Sequence, residues 1–436
     1  MNWCDKYRLK LYVRNSIWIF PVFSIGAGLI AAMLLNNIDR ALGMEMNLGP
    51  DTARTVMGTV AGSMFTLVVV SSSAVLVAVQ LASAQLTPRI ILLVYRSRKR
   101  KFCVSAFVFT FTFSVAALVR IESTVPLLTS YVAAYGFLLN LALFLYFIDS
   151  MGKTLRPSAA LRIVGIAGRD VVQCVYPSKL KRDQPSVSKP IESLKEDPRR
   201  LVINEVDGVV LAFDRTGLVS LAESSNCLLE LVPQVGDFIA AGDPLFRIFE
   251  GGEDLSADTL RNSVAMGQER TLEQDPTYAF RIIVDIASKA LSPAINDPTT
   301  AVLAIDQIHH LLRTVGSRSL GDGREVDRRG ELRLIYRTPN WEDFVHLAVT
   351  EIRQYGRDSI QIMRRLRAML ENLIETLPEK RAAMLRLELS LLEASAKRMF
   401  LDLYDQELAE TADLQGMGSG DRKHPEQRGR GVAAIA

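Results

Sequence analysis

Two groups of residues have types and spacing that could do chemistry, and they differ in kind. The first lies in the string 281–301, where Arg281, Asp285 and Lys289 recur one helical turn apart. The loop beyond offers Ser292, Asn296, Asp297, Thr299 and Thr300 at a helix N-terminus, whose free amides favour an anion. The same residues also make an i,i+4 charge ladder followed by an N-cap, and that reading needs no ligand. The second group is a polar stripe in an apolar stretch: Thr59, Thr66, Ser73, Gln80 and Thr87 at heptad spacing, with Ser63 beside them. A straight helix drifts only about 20° per heptad, so the stripe keeps to one side. Small and hydroxyl residues let helices approach closely and bond across, which makes packing the plainer reading. A hydrated path presents the same stripe to a passing ion or solute. Either role sets this helix against protein rather than lipid.

Conventional catalysis finds no foothold. His309 and His310 are adjacent and diverge by about 100° around a helix, which is poor geometry for one metal. His346 and His424 stand apart, and Gln268, Glu269 and Arg270 fit a surface as readily as a site. No phosphate-binding loop, zinc-protease helix or nucleophile elbow occurs. The expectation is therefore a protein with no catalytic residues, no metal and no cofactor, and not an enzyme.

Apolar runs at 16–35, 56–83, 102–119 and 125–147 each approach or exceed the about 20 residues that span hydrocarbon. In lipid they must be helices, because every backbone amide has to bond within its own segment. No charge falls inside these runs; Arg120 and Asp149 sit at the edges, which argues against a proton-driven transporter. Lys6, Arg8, Lys10 and Arg14 precede the first run, and Arg89, Arg96, Arg98, Lys99, Arg100 and Lys101 separate the second from the third. The other two connections are poor in cations, so both termini are expected in the cytoplasm. The N-terminus reads as an uncleaved signal-anchor. The net charge of +3 is accounted for by these basic loops and gives no reason to expect nucleic acid. The 4 cysteines form no C-x-x-C pair and read as reduced thiols.

The expected organisation is a four-helix transmembrane domain (1–150), a helical extension (151–176), a linker (177–200), a β-module (201–255), a helical domain (256–413) and a disordered tail (414–436). Within the β-module, short apolar runs at 209–213, 217–221, 228–232 and 244–248 read as strands. Residues 235–245 resemble the Gly-Asp-x-Val-x-x-Gly-x-Pro-Leu signature of biotinyl and lipoyl carrier domains. That implies a small hammerhead-like β-sandwich with Phe238, Ile239 and Leu245 in its core. The lysine that carries the cofactor in those domains has no counterpart at 248–255. Asp275-Pro276 and Asp297-Pro298 read as two helix starts. A hairpin containing 332–336 follows, then helices at 341–355, 358–376 and 378–412.

Gln80 through Arg89, Gln274-Asp275-Pro276 and the Ala290–Ala301 string together resemble an uncharacterised family of predicted bacterial inner-membrane proteins. The resemblance spans roughly 10–410 and implies the architecture and a bacterial origin, with no activity attached. The fold class expected is thus an α-helical membrane protein with a cytoplasmic α+β region. The partners expected are the lipid bilayer and further copies of the chain. A homo-oligomeric channel or passive conduit with the second span lining it is the first functional expectation. A membrane-anchored sensor or scaffold that binds a ligand or protein is the second.

Overall fold

The computed structural model describes residues 2–91, 97–121, 124–154, 156–180 and 197–418. They fall into two compact units, Leu9–Ala160 and Met1–Arg8 together with Leu161–Ala436. Most of the expected linker and all of the tail beyond 418 lie outside the described residues.

The first unit holds four helices long and apolar enough to cross a membrane: α2 (Ile19–Leu42), α3 (Pro50–Gln85), α4 (Arg98–Leu118) and α5 (Leu127–Thr154). The basic N-terminal stretch is itself a helix, α1 (Trp3–Asn15). Most of these helices run further than the apolar stretches predict, so ionisable groups just beyond those stretches fall within helices. Asp39 lies inside α2 and is buried. Its carboxylate accepts the amides of Leu128 (2.8 Å) and Thr129 (3.0 Å) and the Thr129 hydroxyl (2.7 Å). Asp39 thereby does for α5 what an N-cap does, but from another helix. At the same end, Arg54 donates to the carbonyl of Ile121 at 2.8 Å, and the amide of Met46 bonds the carbonyl of Val125 at 2.9 Å. Elsewhere, Lys101 Nζ donates to the carbonyl of Arg14 at 2.8 Å and so caps α1. Between α4 and α5, Asn140 Nδ2 donates to Thr110 Oγ1 at 2.6 Å. A Cβ at Gly28 of α2 would lie 2.9 Å from the carbonyl oxygen of Phe109, so α2 and α4 approach at backbone distance there.

Helix α6 (Pro157–Val175), most of which belongs to the second unit, starts at Pro157 as expected. Strands β1 (Arg200–Ile203), β2 (Gly208–Phe213), β3 (Leu228–Leu231), β4 (Phe238–Ile239) and β5 (Pro244–Phe249) follow. Between β2 and β3 the run 217–221, expected as a strand, is instead part of helix α7 (Arg215–Ser224). Leu218, Leu221 and Ala222 stand at i, i+3 and i+4, which is helical spacing. Asp214 decides the matter by accepting the Gly217 amide as an N-cap at 3.0 Å. Phe238 is also corrected: it is 68% exposed, while Ile239 and Leu245 are buried. Successive residues of a strand face opposite ways, so burying Ile239 turns Phe238 outward.

The β-module does not close on itself at 255. Helix α8 (Ala257–Arg261) and strand β6 (Val264–Gly267) continue it, where helix was expected. Strand β8 (Leu332–Tyr336), hairpinned to β7 (Arg324–Val326), pairs in parallel with β3. The sheets run β1-β5-β3-β8-β7 and β4-β2-β6. The boundary drawn at 255 is therefore corrected, because the free edge of β3 is completed from the far side of two helices. Those are α9 (Pro276–Ala290) and α10 (Pro298–Gly316), both starting where the Asp-Pro pairs predict. The core of this layer includes Phe213, Leu229, Phe246, Ile248, Leu334 and Tyr336.

Helices α11 (Trp341–Tyr355), α12 (Ile360–Thr376) and α13 (Glu379–Met399) complete the bundle. The single helix expected at 378–412 breaks after Met399 and resumes as α14 (Leu403–Ala409). Phe400 is extended there, and its carbonyl accepts the Gln406 amide group at 2.7 Å. Residues 414–418, expected as disordered tail, are held by Asp413. Its carboxylate accepts the amides of Gln415, Gly416 and Gly418, while buried Arg364 bonds the carbonyls of Thr411 and Gly418.

Candidate functional site

The α9–α10 turn is built as the capping reading describes. Asp297 accepts the Thr300 amide at 3.0 Å and its hydroxyl at 2.5 Å. Ser292 Oγ turns back to the carbonyl of Lys289 at 2.7 Å, and Asn296 takes a left-handed φ of 46°. Asn296 and Thr299 are exposed. Arg281 is committed elsewhere. It bonds Asp285 at 2.6 Å and grips both oxygens of Glu351 on α11, at 2.5 and 2.7 Å. That guanidinium holds the Glu351 carboxyl below the usual glutamate range. Arg281 and Asp285 thus join α9 to α11, while Asp297 and Thr300 shape a turn. Their bonds engage one another, a neighbouring helix and the turn's own backbone.

The stripe on α3 has a clearer placement. Its opposite side, including Met57, Val60, Met64, Val75 and Val79, is buried within the unit. Thr59, Thr66, Ser73 and Gln80 are exposed and Ser63 is half-buried. Thr87 is off the helix, buried just ahead of a short turn at Pro88–Ile90. Thr59 and Thr66 donate to the carbonyls of Thr55 (2.9 Å) and Gly62 (3.0 Å), so these hydroxyls need no second helix. The Gln80 amide has no hydrogen-bond partner among the described residues. The Cβ positions of Gly58 and Gly62 meet nothing within 4 Å, so this side of α3 is open to close approach. The stripe is therefore not what packs α3 inside its own chain.

One further feature went unseen in the sequence, a cavity of about 410 Å³ in the second unit. Its residues come from six separate stretches between Cys174 and Pro339, so no local pattern marks it. Phe213, Tyr336 and Tyr176 give it an aromatic lining, with the Phe213 and Tyr336 rings 5.0 Å apart. Arg215 lies 5.2 Å over the Tyr336 ring and pairs with Glu325 at 3.3 Å; the Tyr336 hydroxyl donates to the same carboxylate. Burial pushes the Tyr176 phenol up to about 12, which keeps it protonated beside the Thr338 hydroxyl, 3.2 Å away. Gln274 bonds the Phe213 backbone in both directions, and Asp275 caps α9 while pairing with Arg270 at 2.6 Å. The Gln274-Asp275-Pro276 string is thus a wall of this cavity.

Four membrane-length apolar helices joined to an α+β unit define an integral membrane protein. A family of predicted membrane proteins, DUF2254, matches residues 14–372, and the chain belongs to it. Uncharacterised proteins of Mycobacterium bovis and Mycobacterium tuberculosis H37Rv are each 26% identical over 420 residues, covering 91% of this chain and 79% of theirs. No solved structure matches.

Proposed function

We propose that the protein assembles with copies of itself in the bacterial inner membrane into a passive conduit lined by α3. In this reading both termini are cytoplasmic and the second unit assembles or gates the path. The supporting observation is the placement of Thr59, Thr66, Ser73 and Gln80 on the side of α3 that its own chain leaves uncovered. An unpaired amide such as that of Gln80 is costly against lipid tails and is relieved at a helix–helix or hydrated surface. The test is ion flux into liposomes carrying purified protein, with cross-linking to establish the oligomer. Ser73→Leu puts an isobutyl group from each copy into a narrow path and should abolish flux while the oligomer persists. Val70→Leu and Val77→Leu should act in the same direction, and Leu76→Ala should not. A cross-linked oligomer without wild-type flux rejects the conduit. Orientation is tested in a Cys174→Ser background. Cysteine at Asn47 should react with an impermeant thiol reagent in intact cells, and cysteine at Glu253 should not.

The second reading, a membrane-anchored sensor that binds a ligand, is favoured by the cavity of the second unit.

A further inference from the structure

We propose that this cavity binds a small organic anion with a planar body, its ring against the aromatic lining and its acidic group at the arginine rim. The volume of about 410 Å³ lies in the range of ordinary ligand pockets, about 300–1,000 Å³. Its lining is what such a ligand requires. Phe213, Tyr176 and Tyr336 are nearly buried in the protein core, so the apolar end is already assembled. Arg215 lies over Tyr336, with its charge balanced by Glu325.

Two lining arginines are held far less firmly. Arg337 is exposed, and its carboxylate neighbour, Asp237, is 3.6 Å away. Asp237 is itself tied to the Gln234 amide at 2.9 Å. Arg324 is exposed and its guanidinium has no partner among the described residues; Asp322 beside it bonds the Arg324 amide instead. Asp275, the buried carboxylate in the wall, is already matched by Arg270. Arg324 and the loosely paired Arg337 thus have donors to spare, facing one lining carboxylate, Asp322, that has no cationic partner among the described residues. A planar guanidinium fork suits a carboxylate or a phosphate ester, and the lining does not separate these two sources.

Cys174 supplies a built-in reporter. It is an exposed thiol on the cavity lining, whereas Cys4, Cys103 and Cys227 are buried. The experiment measures the rate at which a maleimide labels Cys174 in the full-length protein in detergent. The probes are AMP, 4-hydroxybenzoate, adenosine and inorganic phosphate. AMP or 4-hydroxybenzoate should slow labelling, and whichever acts identifies the source of the acid. Adenosine and phosphate, each lacking one half of the ligand, should protect more weakly. Arg337→Ala, on an exposed side chain that bears no fold, should weaken that protection about tenfold through loss of one charge-assisted contact. If neither anionic ring compound slows labelling at about 10 mM, far above any specific affinity, the proposal is wrong. Equal protection by adenosine and AMP, or protection unchanged in Arg337→Ala, likewise rejects the anion. Protection by phosphate as strong as by AMP rejects the planar body.

Discussion

The two units of this chain differ in what they expose. In Leu9–Ala160 the interior holds Gly28, Ala32, Ala53, Ala61 and Ala78 together with Phe107, Phe113 and Phe147, while Phe20, Phe23, Leu138, Leu139 and Leu145 point outward. In Leu161–Ala436 the interior holds Phe246, Phe280, Trp341, Phe344 and Leu229. Against lipid tails a leucine gains nothing by leaving the surface, so helices associate through small residues and directed polar bonds. Facing water, the same leucine drives folding by its burial. Charged groups of both units serve backbone ends, Asp39 and Lys101 in the first and Asp275 and Arg364 in the second, and the second adds buried charge pairs such as Arg333–Asp327.

That contrast can be broken most decisively in the cores. Phe246→Ala should destabilise the second unit by about 3–5 kcal/mol through the cavity it leaves. Thermal unfolding followed by Trp341 fluorescence, in a Trp3→Phe, Trp18→Phe background, would read it. Phe23→Ala, outward in the first unit, should leave the folded protein in detergent nearly unchanged, and an equal loss there would refute its outward placement. The first unit should instead be sensitive to added bulk. Gly28→Leu meets the backbone of α4 and should lower its thermal midpoint in detergent by more than any outward truncation. Glu388→Ala leaves half-buried Arg353 without its carboxylate and should cost about 3 kcal/mol, read by the same fluorescence. Caps come lower on the scale. Asp39→Ala and Asp297→Ala should each cost about 1 kcal/mol, with Asp39 the greater because two backbone amides lose their acceptor. Phe238→Ala, on an exposed side chain, should stay within about 0.5 kcal/mol.

How far the sequence could be read follows from the range of each signal. The four spans and the Asp275-Pro276 and Asp297-Pro298 helix starts were legible because length and adjacent residues determine them. Arg281–Asp285 was legible as a local ladder, but Glu351 was not, since it arrives from another helix. Asp39 was missed because its purpose is the far end of α5. The helix α7 reads as a strand because a short apolar run between turn residues suits either element, and Phe238 reads as core because one step of strand phase inverts its face. The polar stripe was visible as a stripe, yet which side of α3 would be left uncovered depends on how the other spans pack. The cavity was out of reach altogether, being assembled from six distant pieces.

The parallel pairing of β3 with β8 sets an order of events during synthesis. Leu229 meets Leu334 in register, so one edge of β3 stays unpaired while about a hundred more residues are made. Over that interval α9 and α10 are free to form as local helices, but the sheet they cover is incomplete. An exposed strand edge is a template for another chain, and nascent copies held side by side at one membrane are crowded. Truncations ending before Leu332 should therefore aggregate even though every helix up to Gly316 is present, whereas truncations ending after Tyr336 should not expose that edge.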